Sequence, residues 1–243
     1  MSILSLRPKQ ASMVWLEPHR VHVGGQSRPL AGPVTEDALA QALASLPPGP
    51  TTWVVDDGYI PTVLLRDIVE LPAGTEAREA FFRWRYTQSM ALEGPQHVQA
   101  LDLGENAWLL AGMPQALRES WLQTAQSMSR PIRSLMPRWL WIYNQLAPGR
   151  EVPGMLLSLC PQTDGGYTGT LAAWGRQLVL LRQWSEPASA EAWIQERVLP
   201  TAAYLQRDAR SPQEIHLWGA SHWPECPIPV RLLQPEIPAQ ETC

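Results

Sequence analysis

The sequence predicts an α/β fold in which one unit is used twice. A strand meander followed by a helix and a further strand is legible in residues 1–148 and again, in shorter form, in residues 149–223. A proline- and glycine-containing break near Pro148–Pro153 separates the two. Apolar residues make up 45% of the 243 and charged residues 17%, a balance that can fill a core in each unit. Residues 224–243, with Pro224, Pro227, Pro229, Pro235 and Pro238, read as an extended tail, because proline fits neither a helix interior nor a central strand.

Taken in order, Met13–Leu16 and Val21–Val23 alternate as a hairpin, with Gly24-Gly25 closing the second strand. Thr35 caps a helix whose Leu39, Leu43 and Leu46 recur at helical spacing, and Pro47-Pro48-Gly49 ends it. Trp53–Val55 is a buried strand running into Asp56-Asp57-Gly58, and Val63–Leu71 a longer extended stretch. Thr75 opens a second helix with acids in its first turn and Ala77, Phe81 and Trp84 as its apolar stripe. Val98–Leu103 and Ala107–Ala111 form a hairpin around Gly104-Glu105-Asn106. A third helix starts near Pro114, with Leu117, Trp121, Ala125 and Met128 on one face. Ile132–Leu135 is a short strand, and Trp139, Ile142, Tyr143 and Leu146 mark a fourth helix that ends at Ala147-Pro148-Gly149.

The second unit restarts with a three-strand meander over Met155–Cys160, Tyr167–Trp174 and Gln177–Trp184. A long helix from Ser189 to Arg207 buries Ile194, Val198, Ala202 and Leu205, and Glu214–Trp218 is the last strand before Gly219.

Composition narrows function. A net charge of −4 argues against a polyanion partner, which needs a concentrated basic face. Arginine flanks tryptophan at Arg83-Trp84-Arg85 and around Trp139 and Trp141, near Arg130, Arg133 and Arg138. Buried indoles with snorkelling guanidinium groups at an interface explain this better than base stacking. The twelve tryptophans read chiefly as core filling. Three cysteines (Cys160, Cys226 and Cys243) without a CxxC pair fit a reducing compartment rather than a disulfide framework. No signal peptide and no apolar run of spanning length is visible, so a soluble, cytoplasmic protein is expected.

Residues with chemical potential are sparse. His216, His222 and Cys226 lie close in sequence, but their spacing matches no zinc pattern, so no metal is expected. Asp56-Asp57-Gly58 reads as a turn, and His19 and His22 flank a hairpin without a nucleophile. None of GxSxG, HExxH, GxxxxGK[ST] or GxGxxG occurs.

Several stretches resemble the PilM-type assembly proteins of type IV pili and the cytoplasmic domain of the type II secretion protein GspL. They are Val63-Leu64-Leu65-Arg66-Asp67-Ile68-Val69-Glu70-Leu71-Pro72 with Glu79-Ala80-Phe81-Phe82-Arg83-Trp84-Arg85 after it; Leu101-Asp102-Leu103-Gly104 before Trp108-Leu109-Leu110-Ala111-Gly112-Met113-Pro114; and Pro131-Ile132-Arg133-Ser134-Leu135-Met136-Pro137. The resemblance implies a duplicated actin-like (ribonuclease H-like) fold. In that fold each half opens on a hairpin whose glycine-bearing turn holds a phosphate.

The first hairpin here reads Leu16-Glu17-Pro18-His19-Arg20, without glycine and with a proline that removes an amide. The second contains Pro161 and Asp164-Gly165-Gly166; Gly219 stands where the fold approaches adenine. Asp164, Gly165, Gly166 and Gly219 are therefore vestigial nucleotide candidates, and no catalytic residue is expected. The resemblance implies a non-catalytic pseudo-ATPase scaffold at the inner face of the inner membrane, docking the cytoplasmic tail of a PilN-like membrane partner. Without a spanning segment the chain fits the standalone PilM-like form better than GspL. The alternative is an ATP-binding actin-like protein, with magnesium, whose phosphate loops have diverged.

Overall fold

The computed structural model describes residues 12–23, 26–30, 34–146, 152–163, 165–207 and 211–233. Gly24-Gly25, Ala147-Pro148-Gly149, Asp164 and the tail from residue 234 lie outside them. The chain divides into two compact units between Pro137 and Arg138. The boundary expected at residue 148 comes one helix later.

In the first unit, β1 (Ser12–Glu17), β2 (Arg20–Val23) and β3 (Gln26–Pro29) form an antiparallel meander. Helix α1 (Glu36–Leu43) begins at Thr35, whose hydroxyl accepts a hydrogen bond from Ala38 N at 3.3 Å, satisfying one of the amides a helix start leaves open. The helix packs Leu39 and Leu43 into the core and returns the chain to β4 (Thr51–Val55), parallel to β1. Every residue of β4 is buried, as a central strand covered on both faces requires.

A second small sheet is then inserted. It comprises β5 (Thr62–Leu65), α2 (Thr75–Met90), β6 (Gln96–Gly104) and β7 (Ala107–Pro114), with the strands in the order β5-β7-β6 and antiparallel throughout. Its core is Leu65, Phe82, Tyr86 and Leu110. The Tyr86 hydroxyl lies 3.0 Å from both the Pro61 and Gly112 carbonyl oxygens, and burial holds its pKa well above the usual phenol range. Gly112 makes room for the ring, since a Cβ there would sit 2.6 Å from it.

Two expectations change here. The extended stretch at Val63–Leu71 ends as a strand at Leu65, and Asp67 follows in the left-handed region at φ 59°. The buried face of α2 is Phe82 and Tyr86 rather than Ala77, Phe81 and Trp84, and Trp84 is 55% exposed.

Helix α3 (Gln115–Ser127) leads back to β8 (Ile132–Pro137), parallel to β4, completing the order β3-β2-β1-β4-β8. Trp121 of α3 packs 5.7 Å from Trp53 and 5.3 Å from Tyr59, measured between ring centroids. Buried Arg130 ties the turn after α1 to the end of α3: its Nε donates to Leu46 O at 2.9 Å, and its terminal nitrogens donate to Leu46 O and Met128 O. Carbonyls at helix ends lack intrahelical partners, and a guanidinium is a fork of donors that fills that need.

The second unit opens with α4 (Arg138–Gln145), followed by β9 (Gly154–Pro161), β10 (Tyr167–Trp174) and β11 (Leu178–Ala188) as an antiparallel meander. Arg138 is only 2% exposed and donates from Nε to Ser158 Oγ at 3.1 Å. The next helix runs as α5 (Ala190–Ala192), a π-helical stretch Trp193–Val198, and α6 (Leu199–Arg207). Pro200 has no amide to give to the preceding turn, which accounts for the altered winding just before it. Thr201 Oγ1 donates to Arg197 O, one turn back, at 2.6 Å. The Arg197 guanidinium lies 4.3 Å from the Trp193 ring centre and 5.1 Å from that of Trp184, fastening the helix to β11.

Strand β12 (Glu214–Trp218) pairs parallel with β9, and β13 (Val230–Leu232) pairs parallel with β12, giving β11-β10-β9-β12-β13. Within the proline-rich stretch, Val230–Leu232 is thus an edge strand of this sheet. Residues 219–229, which connect β12 to β13, contain neither helix nor strand. Trp15, Trp53, Trp121, Trp139, Trp174 and Trp193 are the largest fully buried side chains, in line with their reading as core.

Candidate functional site

Each turn expected to meet a phosphate has a definite local structure. In the first unit Glu17 pairs with Arg20, leaving Pro18-His19 as a two-residue hairpin loop; His22 Nε2 lies 3.6 Å from Glu17 Oε2. Such a loop has no glycine for close approach, and Pro18 supplies no amide.

In the second unit Pro161 pairs with Tyr167 across a longer loop. Gln162 N donates to Gly166 O at 2.8 Å and Gly165 N to Gln162 O at 3.1 Å. The Gln162 side chain donates to Cys160 O at 3.2 Å and to Thr168 Oγ1 at 3.0 Å. These amides serve the loop itself. Gly165 adopts φ +84° with open space where a Cβ would be, a turn requirement and nothing more.

Gly219 differs. Its φ is +93°, and a Cβ would lie 1.9 Å from Leu159 O, so its missing side chain admits the backbone of β9. Of the four vestigial candidates, Gly165 and Gly166 share a loop, Gly219 lies after β12, and Asp164 is outside the described residues.

The other polar candidates are structural. Asp56 Oδ1 accepts from Gly58 N at 2.9 Å and Asp56 O accepts from Tyr59 N at 3.0 Å, which makes Asp56-Asp57-Gly58 a side-chain-closed turn at the end of β4. His216 Nε2 bonds Glu214 Oε1 at 2.9 Å, and its ring sits 5.7 Å from Trp174. Among the described residues no cluster of three or more His, Cys, Asp or Glu is arranged to hold a metal ion. Nor is any described helix long and apolar enough to cross a membrane.

A groove of about 780 Å³ lies in the inserted sheet of the first unit, within the size range of ligand and peptide sites. One wall is α2, through Thr75, Arg78, Glu79, Phe82 and Arg83, the spacing of a single helix face. The other is β6, through the consecutive residues 97–101, with Trp108 of β7 beside it. A smaller concavity next to it, toward Val69 and the β6–β7 turn, also involves Arg78 and Trp108.

His97 is held below its ordinary pKa, first by burial and then by the nearby guanidinium groups of Arg118 and Arg83. Its Nε2 and Arg118 Nε are enclosed and make no hydrogen bond. Sequence reading singled out Arg83 and Trp84, and Trp108 within a stretch that carries the family resemblance, but not Arg78 or His97. The one sequence-level signal was the charge of α2, whose arginines at positions 78, 83 and 85 stand among few acids.

No protein-family model and no curated protein matches the sequence. Solved structures do match in fold. One is the cytoplasmic domain of EpsL, an inner-membrane component of the type II secretion system of Vibrio cholerae, with a TM-score of 0.54, 13% identity, and coverage of 92% of this chain and 85% of that one. Another is a PilM–PilN type IV pilus biogenesis complex, with a TM-score of 0.57, 13% identity, and coverage of 86% and 81%. Their actin-like fold is the duplicated α/β fold described above.

Proposed function

We propose that this chain is a non-catalytic adaptor of a type IV pilus or type II secretion-like assembly, which docks the cytoplasmic tail of a PilN-like membrane partner. The observation that carries the reading is a fold shared with an assembly component of each system, one of them a PilM–PilN complex. Local geometry supports the non-catalytic part. Pro18 offers no amide, the Gln162 and Gly165 amides bond inside their own loop, and Gly219 is filled by the backbone of β9. A phosphate cradle needs several convergent amides next to residues without side chains, and these turns are a poor fit to it.

An adaptor needs a surface, not a reacting group, and that suits a chain whose buried polar residues close turns and helix ends. Two measurements test the proposal. The cytoplasmic tail of the PilN-like protein from the same organism, immobilised, should retain the full chain at micromolar concentration; absence of retention would count against the adaptor role. Millimolar Mg-ATP should leave thermal unfolding unchanged. A nucleotide present at a hundred times its dissociation constant would stabilise by about 2.7 kcal/mol, a rise of roughly 5–10 °C. A shift of that size would favour the ATP-binding alternative.

A further inference from the structure

Residues 219–229 cross from β12 to β13 without helix or strand. Pro224, Pro227 and Pro229 have no amide to donate and hold the chain out of a helix. None of residues 219–228 gives or takes a hydrogen bond, from backbone or from side chain. No backbone bond fastens this segment to the sheet it crosses.

Its two ends are fixed. At Gly219 the backbone fits against Leu159 O, where a side chain could not pass. At the far end Ile215 N donates to Pro229 O at 2.8 Å, and Leu233 N to Leu217 O at 2.7 Å. Between those ends only side chains hold on. Ala220, Trp223, Cys226 and Ile228 pack, partly buried, against the core that contains Leu159 and Leu217. Ser221, His222, Glu225 and Pro227, interspersed with them, are exposed.

The largest of these anchors carries a penalty. The Trp223 ring meets Tyr167 edge to face at 6.3 Å between centroids. Its indole nitrogen is enclosed and has no hydrogen-bond partner. Other indoles do better: Trp53 donates to Thr51 Oγ1 at 2.9 Å, Trp174 to Val152 O at 3.0 Å, and Trp193 to Tyr167 O at 2.9 Å. An enclosed donor without an acceptor opposes burial of its ring, and water satisfies it once the ring leaves. A segment with no backbone bonds, few apolar anchors and one anchor so penalised belongs to the low-stability end of a fold.

We propose that residues 220–228 form a strap that opens as a local unit while β12, β13 and α6 stay in place, lifting Trp223, Cys226 and Ile228 from the core of the second unit. Closed, the strap hides apolar surface; open, it presents that surface, so it gates access to this face. The device is independent of the adaptor reading.

The test is hydrogen exchange at indole N–H groups, followed by NMR on the full ¹⁵N-labelled chain, with Trp223→Phe to assign the signal. The Trp193 indole, buried in the same core and bonded to Tyr167 O, is the reference for unfolding of the unit. The Ile215 amide, which donates to Pro229 O, reports on the end of the strap. Trp223 should exchange more than tenfold faster than both, and sub-denaturing urea should change its rate little, because a local opening exposes little surface. Ile228→Ala should speed Trp223 by about tenfold and leave Trp193 unchanged. Rates for Trp223 and Trp193 within tenfold of each other, or a urea dependence of Trp223 as steep as that of Trp193, would overturn the proposal. So would an Ile228→Ala effect shared by Trp193, since the segment would then leave only when the unit unfolds. Exchange of the Ile215 amide at the Trp223 rate would overturn it as well, because β13 would be peeling away with the strap.

Discussion

The two units share one plan and part at one point. Both have a three-strand antiparallel meander whose first strand is flanked by a parallel fourth strand, with a fifth beyond it. In the first unit the chain between the fourth and fifth strands builds a whole small sheet and two helices. In the second unit the same crossover is residues 219–229, without helix or strand, and the fifth strand is three residues long. A parallel crossover normally needs a dozen or more residues and a helix to cover the sheet. The contrast teaches that the meander and fourth strand are the durable framework, whereas that crossover is free to change. In the first unit it has grown into a three-stranded sheet with α2 packed against it.

Substitutions sharpen the contrast, beginning with the largest effect. Gly219→Ala should destabilise by about 3 kcal/mol, because the new methyl meets the Leu159 carbonyl oxygen in a left-handed backbone. Gly165→Ala should cost only about 1 kcal/mol, since its left-handed turn has open space beside it. Chemical denaturation of the two variants checks the pair; equal costs would mean that Gly219 does not pack as described.

Next come the two buried arginines that secure helices, one in each unit. Arg130→Met should cost about 2–3 kcal/mol by stranding the Leu46 carbonyl in the turn after α1 and the Met128 carbonyl at the end of α3. Arg197→Met should cost about 1–2 kcal/mol, since stacking on Trp193 and Trp184 is partly replaced by the methionine thioether. Tyr86→Phe should cost about 1 kcal/mol, with faster hydrogen exchange confined to β5, β7 and α2.

The smallest effect is on pH dependence. His97 has a folded-state pKa below its ordinary value of 6.5, so protonation favours the unfolded chain. Its contribution to stability is full above pH 6.5 and declines as pH falls below it toward the folded pKa. His97→Gln should flatten the loss of melting temperature between pH 7 and 5, and an unchanged slope would contradict this assignment.

Much of the framework was legible because its signals are local. The apolar runs of β9 to β11, the Thr35 cap, the helix start at Ser189 and the strands β4 and β12 all follow from period, length and end residues. Strand β3 was missed because Gln26–Pro29 is exposed throughout and carries no alternation. The face of α2 was misread because Phe81, Phe82, Trp84 and Tyr86 offer two overlapping stripes, and only packing against Leu65 and Leu110 decides between them.

The vestigial glycines were found as residues, but whether Gly219 admits a ligand or a neighbouring strand depends on a contact from far away in sequence. The groove had no motif at all. It exists because β6 is an outer strand and α2 runs beside it, and the order β5-β7-β6 is a product of tertiary pairing.

Hydrogen–deuterium exchange on the full chain, with and without the cytoplasmic tail of the PilN-like partner and, separately, with and without Mg-ATP, separates an adaptor from a nucleotide-binding protein. For an adaptor the tail should slow exchange in the groove, at residues 97–101 and along the facing side of α2, and Mg-ATP should change nothing. Protection by Mg-ATP at the Pro18-His19 turn and at the loop between Pro161 and Tyr167, with β6 unaffected by the tail, would contradict it.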